Sequence, residues 1–114
     1  MSVIEEIAAE RKRQGEVERF RAAHDDEHVH GELARAGACY AMVAGAAAAV
    51  MAERGETREL SHYSDTSAPK GVWPWAKKWW KPKTRRHDLV GAAALIVAEI
   101  ERLDRLAGNH EVKK

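Results

Sequence analysis

A chain of 114 residues with 19 Lys and Arg against 18 Asp and Glu has a net charge of +1, which excludes a general electrostatic pull toward DNA or an anionic membrane. Anion recognition has to come from local clusters. A single domain of this length buries somewhat under roughly 70% of its unfolded surface, enough for one modest core, and the lone Cys39 rules out a disulfide framework within the chain.

The first element is announced by Ser2 and Glu5, the capping-box spacing in which hydroxyl and carboxylate each satisfy an orphan amide of the first turn. Ile4, Ile7, Ala8 and Arg11 fall on one stripe of the helix that follows, and Gly15 is expected to bend or end it before a shorter stripe of Val17 and Phe20. The opening residues lack a basic segment followed by an apolar run, so the expectation is a chain that stays in the cytoplasm.

A polar stretch, His24-Asp25-Asp26-Glu27-His28, leads into a long helix expected to stop at Gly55. Leu33, Ala36, Gly37, Tyr40, Ala44, Ala47 and Met51 recur on it at three- and four-residue intervals, and Cys39 sits in an apolar run that predicts a buried thiol. Gly37, Ala41, Gly45 and Ala48 would let another helix approach closely, which makes this the natural self-association helix. Leu33 to Ala52 reaches the length of a membrane span, yet Arg35 and the abundance of alanine favour a buried helix of a soluble protein.

Periodicity disappears from Gly55 to Thr84, where Ser, Asp, Pro and Gly break the pattern, and a loop that long is more often functional than idle. The last helix is expected from Thr84 as cap to the Gly108-Asn109 stop, with Leu89, Ala92, Ala93, Ile96, Ile100 and Leu103 as its core stripe. The fold expected is therefore all-α, one domain over 1–114. It comprises an N-terminal helical segment (1–23), a long central helix (29–54), a Trp-rich loop (55–83) and a long C-terminal helix (84–107).

The loop ends in the most unusual chemistry of the chain. Trp73, Trp75, Trp79 and Trp80 are interleaved with Lys77, Lys78, Lys81, Lys83, Arg85 and Arg86, and indole faces stack on bases while cations neutralise phosphate. The competing reading is structural: tryptophans folded over an alanine-rich helix complete a small core while the lysines reach outward. The basic run Lys81, Lys83, Arg85 and Arg86 enters a helix N-terminus, whose dipole also favours an anion.

Two acidic groups are weaker candidates. His24 and His28 share a helical face, and Asp25, Asp26 and Glu32 offer oxygen ligands for magnesium, although a solvated helix start explains the same residues; of these, Asp25 and Asp26 are the better site candidates. Glu101 and Asp104 have the E-x-x-D spacing that resembles all-α nucleoside triphosphate pyrophosphatases, but no acid stands between residues 33 and 52 to pair with them, and they read as a solvated face. No nucleophilic triad or Gly-rich phosphate loop is legible.

Glu10-Arg11-Lys12-Arg13-Gln14, His24-Asp25-Asp26-Glu27-His28, Gly31-Glu32-Leu33-Ala34, Trp73-Pro74-Trp75, Trp79-Trp80-Lys81-Pro82 and the run from Arg86 to Arg105 together resemble a family of small proteins encoded in bacteriophages and prophages. The family pattern has a Gly-Trp pair near Arg19 and Phe20, where this chain departs from it. The resemblance implies residence in the cytoplasm of an infected or lysogenic bacterium and an accessory, anti-defence role.

The leading expectation is a homo-oligomeric, non-enzymatic protein that binds a nucleotide-type ligand and sequesters a cyclic nucleotide or ADP-ribose-like host defence signal. Trp73, Trp75, Trp79 and Trp80 would stack, Lys81, Lys83, Arg85 and Arg86 would contact phosphate, and Asp25 or Asp26 would accept hydrogen bonds; no cofactor, metal or membrane is called for. A magnesium-dependent nucleotide hydrolase built on Asp25, Asp26 and Glu32 is one alternative, and an inhibitor of a host protein acting through the Trp loop is another. Single-stranded nucleic acid is the weakest partner, because it needs a longer basic groove.

Overall fold

The computed structural model describes residues 1–17 and 30–108. Three helices and no strand are found among them: α1 (Val3–Val17), α2 (Glu32–Arg54) and α3 (Arg85–Gly108). The fold is all-α, and α2 and α3 flank a long loop whose only regular pieces are single 3-10 turns at Tyr63–Asp65 and Lys77–Trp79.

The helix ends follow local chemistry. Glu5 N–H donates to Ser2 Oγ at 3.1 Å and Ser2 N–H to the Glu5 carboxylate at 2.8 Å, the reciprocal box expected. The helix then runs through Gly15 to Val17 without the break expected there. One glycine costs only about 1 kcal/mol of propensity, and the packing of Gln14 against α3 offsets it. Gly31 (φ 79°) opens α2 and Gly55 (φ 66°) closes it, both left-handed, with Gly55 N–H on Ala52 O and Glu56 N–H on Met51 O. Thr84 Oγ1 caps α3 by accepting from His87 N–H at 3.1 Å.

Gly37 lies against Ala92, Leu95 and Ile96, while Leu33, one turn earlier, shares a buried cluster with Ala98, so α2 and α3 run antiparallel. A Cβ on Gly37 would stand 3.0 Å from the Ala92 carbonyl oxygen, which is why this position is glycine. Within the chain the small-residue stripe admits α3 at Gly37, while Gly45 meets nothing within 4 Å. The molecule measures 55 × 34 × 24 Å, and 24 Å is two helix diameters: α2 and α3 make one layer, α1 and the loop pack against it.

Two expectations about burial are corrected. The core stripe of α3 is Ala92, Leu95 and Ala98, bounded by buried Asp88 and Arg102, whereas Leu89, Ile96, Ile100 and Leu103 are exposed. The small side chains let α3 approach α2 closely, and that close approach rotates the larger ones outward. Nor is α2 a mostly buried helix. It is long and apolar enough to cross a membrane by length and composition, yet only 33% of its most apolar stretch is buried.

Candidate functional site

The loop from Gly55 to Thr84 is held to the helices by aromatic rings and their polar tips. Tyr40, on the core side of α2, stacks on Trp80 with centroids 4.4 Å apart and planes at 19°. Trp73 then stands edge-on to Tyr40 at 5.7 Å, to Trp75 at 5.4 Å and to Trp80 at 5.0 Å, the geometry that ring quadrupoles favour. Trp73 and Trp75 lie against the buried cluster of Leu33, Ala36, Leu95 and Ala98.

The polar tips of Trp80, Trp73 and Tyr40 find partners. Trp80 Nε1–H donates to Thr66 O at 2.7 Å, Trp73 Nε1–H to Ala76 O at 3.2 Å, and the Tyr40 hydroxyl accepts from Lys81 N–H at 3.1 Å. Arg35 Nε–H, from α2, donates to Val72 O at 3.1 Å. Asp88, in the first turn of α3 and almost wholly buried, accepts from the Tyr63 hydroxyl at 2.7 Å and from Lys83 N–H at 3.2 Å. Burial, followed by that bond to a carboxylate, pushes the Tyr63 phenol well above its ordinary pKa, because both oppose a second negative charge.

Trp79 is placed differently from the other three tryptophans. Its side of the 3-10 turn faces water, with the residue 55% exposed, and Lys78 Nζ and Lys81 Nζ lie 5.2 and 5.6 Å from the ring centroid. Among the described residues, Lys77, Lys78, Lys81 and Lys83 make no ion pair with a carboxylate. The arginines of the basic run differ: Arg85 Nε–H is on Glu59 at 2.7 Å, and Arg86 holds Glu6 through two bonds of 2.6 and 2.9 Å. The Arg86 hydrogen bonds hold the Glu6 carboxyl below the ordinary range.

Beside that pair, Glu6, Glu10, Arg13, Thr84 and His87 line an open hollow of about 380 Å³ between α1 and α3. Its charges are matched internally, with Arg13 on Glu10 at 2.8 Å, so it has no surplus charge of either sign to attract an ion. Glu101 accepts from Arg11 of α1 at 3.0 Å, which makes it part of the α1–α3 contact, while Asp104 is exposed. Cys39 is buried, and burial raises its thiol pKa. Asp25 and Asp26, with His24 and His28, lie outside the described residues, as does Phe20. Glu32 accepts from His30 N–H at 2.7 Å.

The structure thus brings Trp73, Trp75 and Trp80 into one cluster with Tyr40, leaves Trp79 with Lys78 and Lys81 on the surface, and turns Arg85 and Arg86 toward acids of other segments. The chain matches no protein-family model, no curated protein and no solved structure. Residues that sequence reasoning passed over as organisers are Tyr40, Tyr63 and Asp88. A tyrosine on the apolar stripe of a helix was the available signal, since a buried hydroxyl requires a partner that the helix itself does not supply.

Proposed function

We propose that the protein is a non-enzymatic binder of nucleotide-type anions, with Trp79 as the stacking ring and Lys78, Lys81 and Lys83 as the phosphate contacts. The observation that carries this reading is the exposure of Trp79 among lysines that have no carboxylate partner among the described residues. An indole left in water at a basic turn offers a π face and positive charge together, the two features a base and its phosphate require. Relative to the sequence-based expectation the site contracts: Trp73, Trp75 and Trp80 shape the loop, and the charge of Arg85 and Arg86 is already balanced.

The resemblance to small phage-encoded proteins supports a sequestering role, in which a cyclic nucleotide or ADP-ribose-like defence signal is bound and kept intact. The test is calorimetric titration with cyclic dinucleotides, cyclic ADP-ribose and linear nucleotides, with and without magnesium, followed by mass spectrometry of the ligand. Binding without metal, with ligand recovered unchanged and affinity lost in Trp79→Ala, is the expected result; one stacked base is worth about 1–3 kcal/mol. Turnover that needs magnesium would overturn the reading in favour of a hydrolase. Binding that Trp79→Ala leaves intact would move the site elsewhere.

A further inference from the structure

The exposed side of α3 carries a pattern that its packing within the chain does not use. Leu89, Ala93, Ile96, Ile100 and Leu103 follow one another at intervals of four, three, four and three residues. That is the strict seam one helix presents to another. Leu89, Ile96, Ile100 and Leu103 are each between 43% and 51% exposed, as their side of α3 faces away from the core.

The neighbouring side of α2 is equally bare and has the opposite texture. Ala38, Met42, Gly45 and Ala49 are exposed on it, and no charged side chain occurs between Arg35 and Glu53. Because α2 and α3 are antiparallel, turning the same way from their line of contact leads to the same side of the pair. Gly37 and Ile96 mark that side: a Cβ on Gly37 would stand 3.2 Å from Ile96 Cγ1, and Ile96 is itself partly in solvent. The outcome is one continuous apolar face, with a ridge of large side chains on α3 beside a floor on α2 that is small except for Met42.

We infer that this face is a homodimer interface, in which the α3 ridge of each copy lies on the α2 floor of the other about a twofold axis parallel to the helices. A face with a ridge beside a floor is complementary to itself, which is what an isologous contact demands. Its size is sufficient. Eighteen residues of helix span about 27 Å, and two helices about 20 Å, so the face projects about 540 Å² on each copy, and the roughly 1,080 Å² of the pair clears the roughly 1,000 Å² that a specific interface needs.

The rest of the chain is a poor alternative occupant. Residues 18–29 and 109–114 have Phe20, Val29 and Val112 as their large apolar side chains, and nine of these eighteen residues are Asp, Glu, Lys or Arg. They cannot match a seam five positions long. A bilayer is also a poor match, because the ridge is narrow and α3 carries Arg86, Glu101 and Asp104 along its length.

The test is sedimentation equilibrium of the full chain at micromolar concentration, with Ile100→Glu and Ala49→Lys as separate variants. Both positions are exposed in the single chain, so each variant keeps its helical circular dichroism while its dimer dissociation constant rises at least tenfold. The two lie on different helices, so a folding failure in one leaves the other to decide. The wild type is expected at twice the chain mass. A single-chain mass into the millimolar range overturns the inference, as does a dimer indifferent to both substitutions. A single chain that co-floats with phosphatidylcholine vesicles also overturns it and assigns the face to lipid. Trp79 is not part of this face, so loss of the dimer and loss of ligand binding are separable results.

Discussion

The Tyr63 hydroxyl donates to Asp88 Oδ2 at 2.7 Å, a buried bond that joins the middle of the long loop to the first turn of α3. Asp88 also takes Lys83 N–H on both oxygens and lies 3.2 Å from His87 Nδ1, so one carboxylate fixes where the loop ends and the helix begins. Removing the hydroxyl as Tyr63→Phe leaves a buried carboxylate short of its best donor. A loss of about 1.5–3 kcal/mol is expected, measured by urea denaturation. A change below half a kcal/mol would mean that Lys83 and His87 suffice.

Burial of the Tyr63 phenol, and then this bond, set the alkaline limit. The folded-state pKa of Tyr63 is raised above its ordinary value of 10.0, so its stabilising contribution is complete below pH 10 and is lost as pH rises toward the folded pKa. The acid side has the opposite sign. Glu10, held low chiefly by Arg13, and Glu6, held low chiefly by Arg86, contribute above their ordinary 4.5 and lose that contribution as pH falls below it. Thermal melting followed against pH should show a plateau between these limits, and Tyr63→Phe should flatten the alkaline decline while leaving the acid decline unchanged.

Two helical glycines should respond oppositely to alanine. At Gly37 the added methyl meets the backbone oxygen of Ala92 at 3.0 Å, and backbone cannot swing aside, so α2 and α3 must separate at a cost of about 1–3 kcal/mol. At Gly91 nothing lies within 4 Å, and alanine should gain up to about 1 kcal/mol from helix propensity. Thermal denaturation of the two variants side by side checks the sign as well as the size.

The tryptophans should divide in the same way. Trp80→Ala removes the ring stacked on Tyr40 and the bond to Thr66 O, and a loss of about 3 kcal/mol with disordering of the loop is expected. Trp79→Ala removes an exposed ring and should change stability by less than about 0.5 kcal/mol. Equal destabilisation by both would place Trp79 in the folding core and remove the ground for assigning it to a ligand.

Much of the helical frame was legible in the chain because helix ends are local events. Ser2 and Glu5, Thr84 and Gly55 specify their caps through atoms within four residues of one another, and each occurs as expected. The site was less legible. Interleaved Trp and Lys give a composition, and composition does not say which ring turns inward; that depended on Tyr40, some forty residues away, stacking on Trp80 and leaving Trp79 outside.

The sequence by itself determined an all-α chain, its caps, and a Trp-rich loop between two long helices, because these follow from nearest-neighbour hydrogen bonding and side-chain periodicity. Only the tertiary structure decided which stripe of α3 is core. Leu89, Ile96, Ile100 and Leu103 have the greater apolar surface, yet Ala92, Leu95 and Ala98 fit the narrow space that Gly37 opens on α2. Close packing of small side chains against a glycine is a property of two surfaces together, and neither helix reveals it alone.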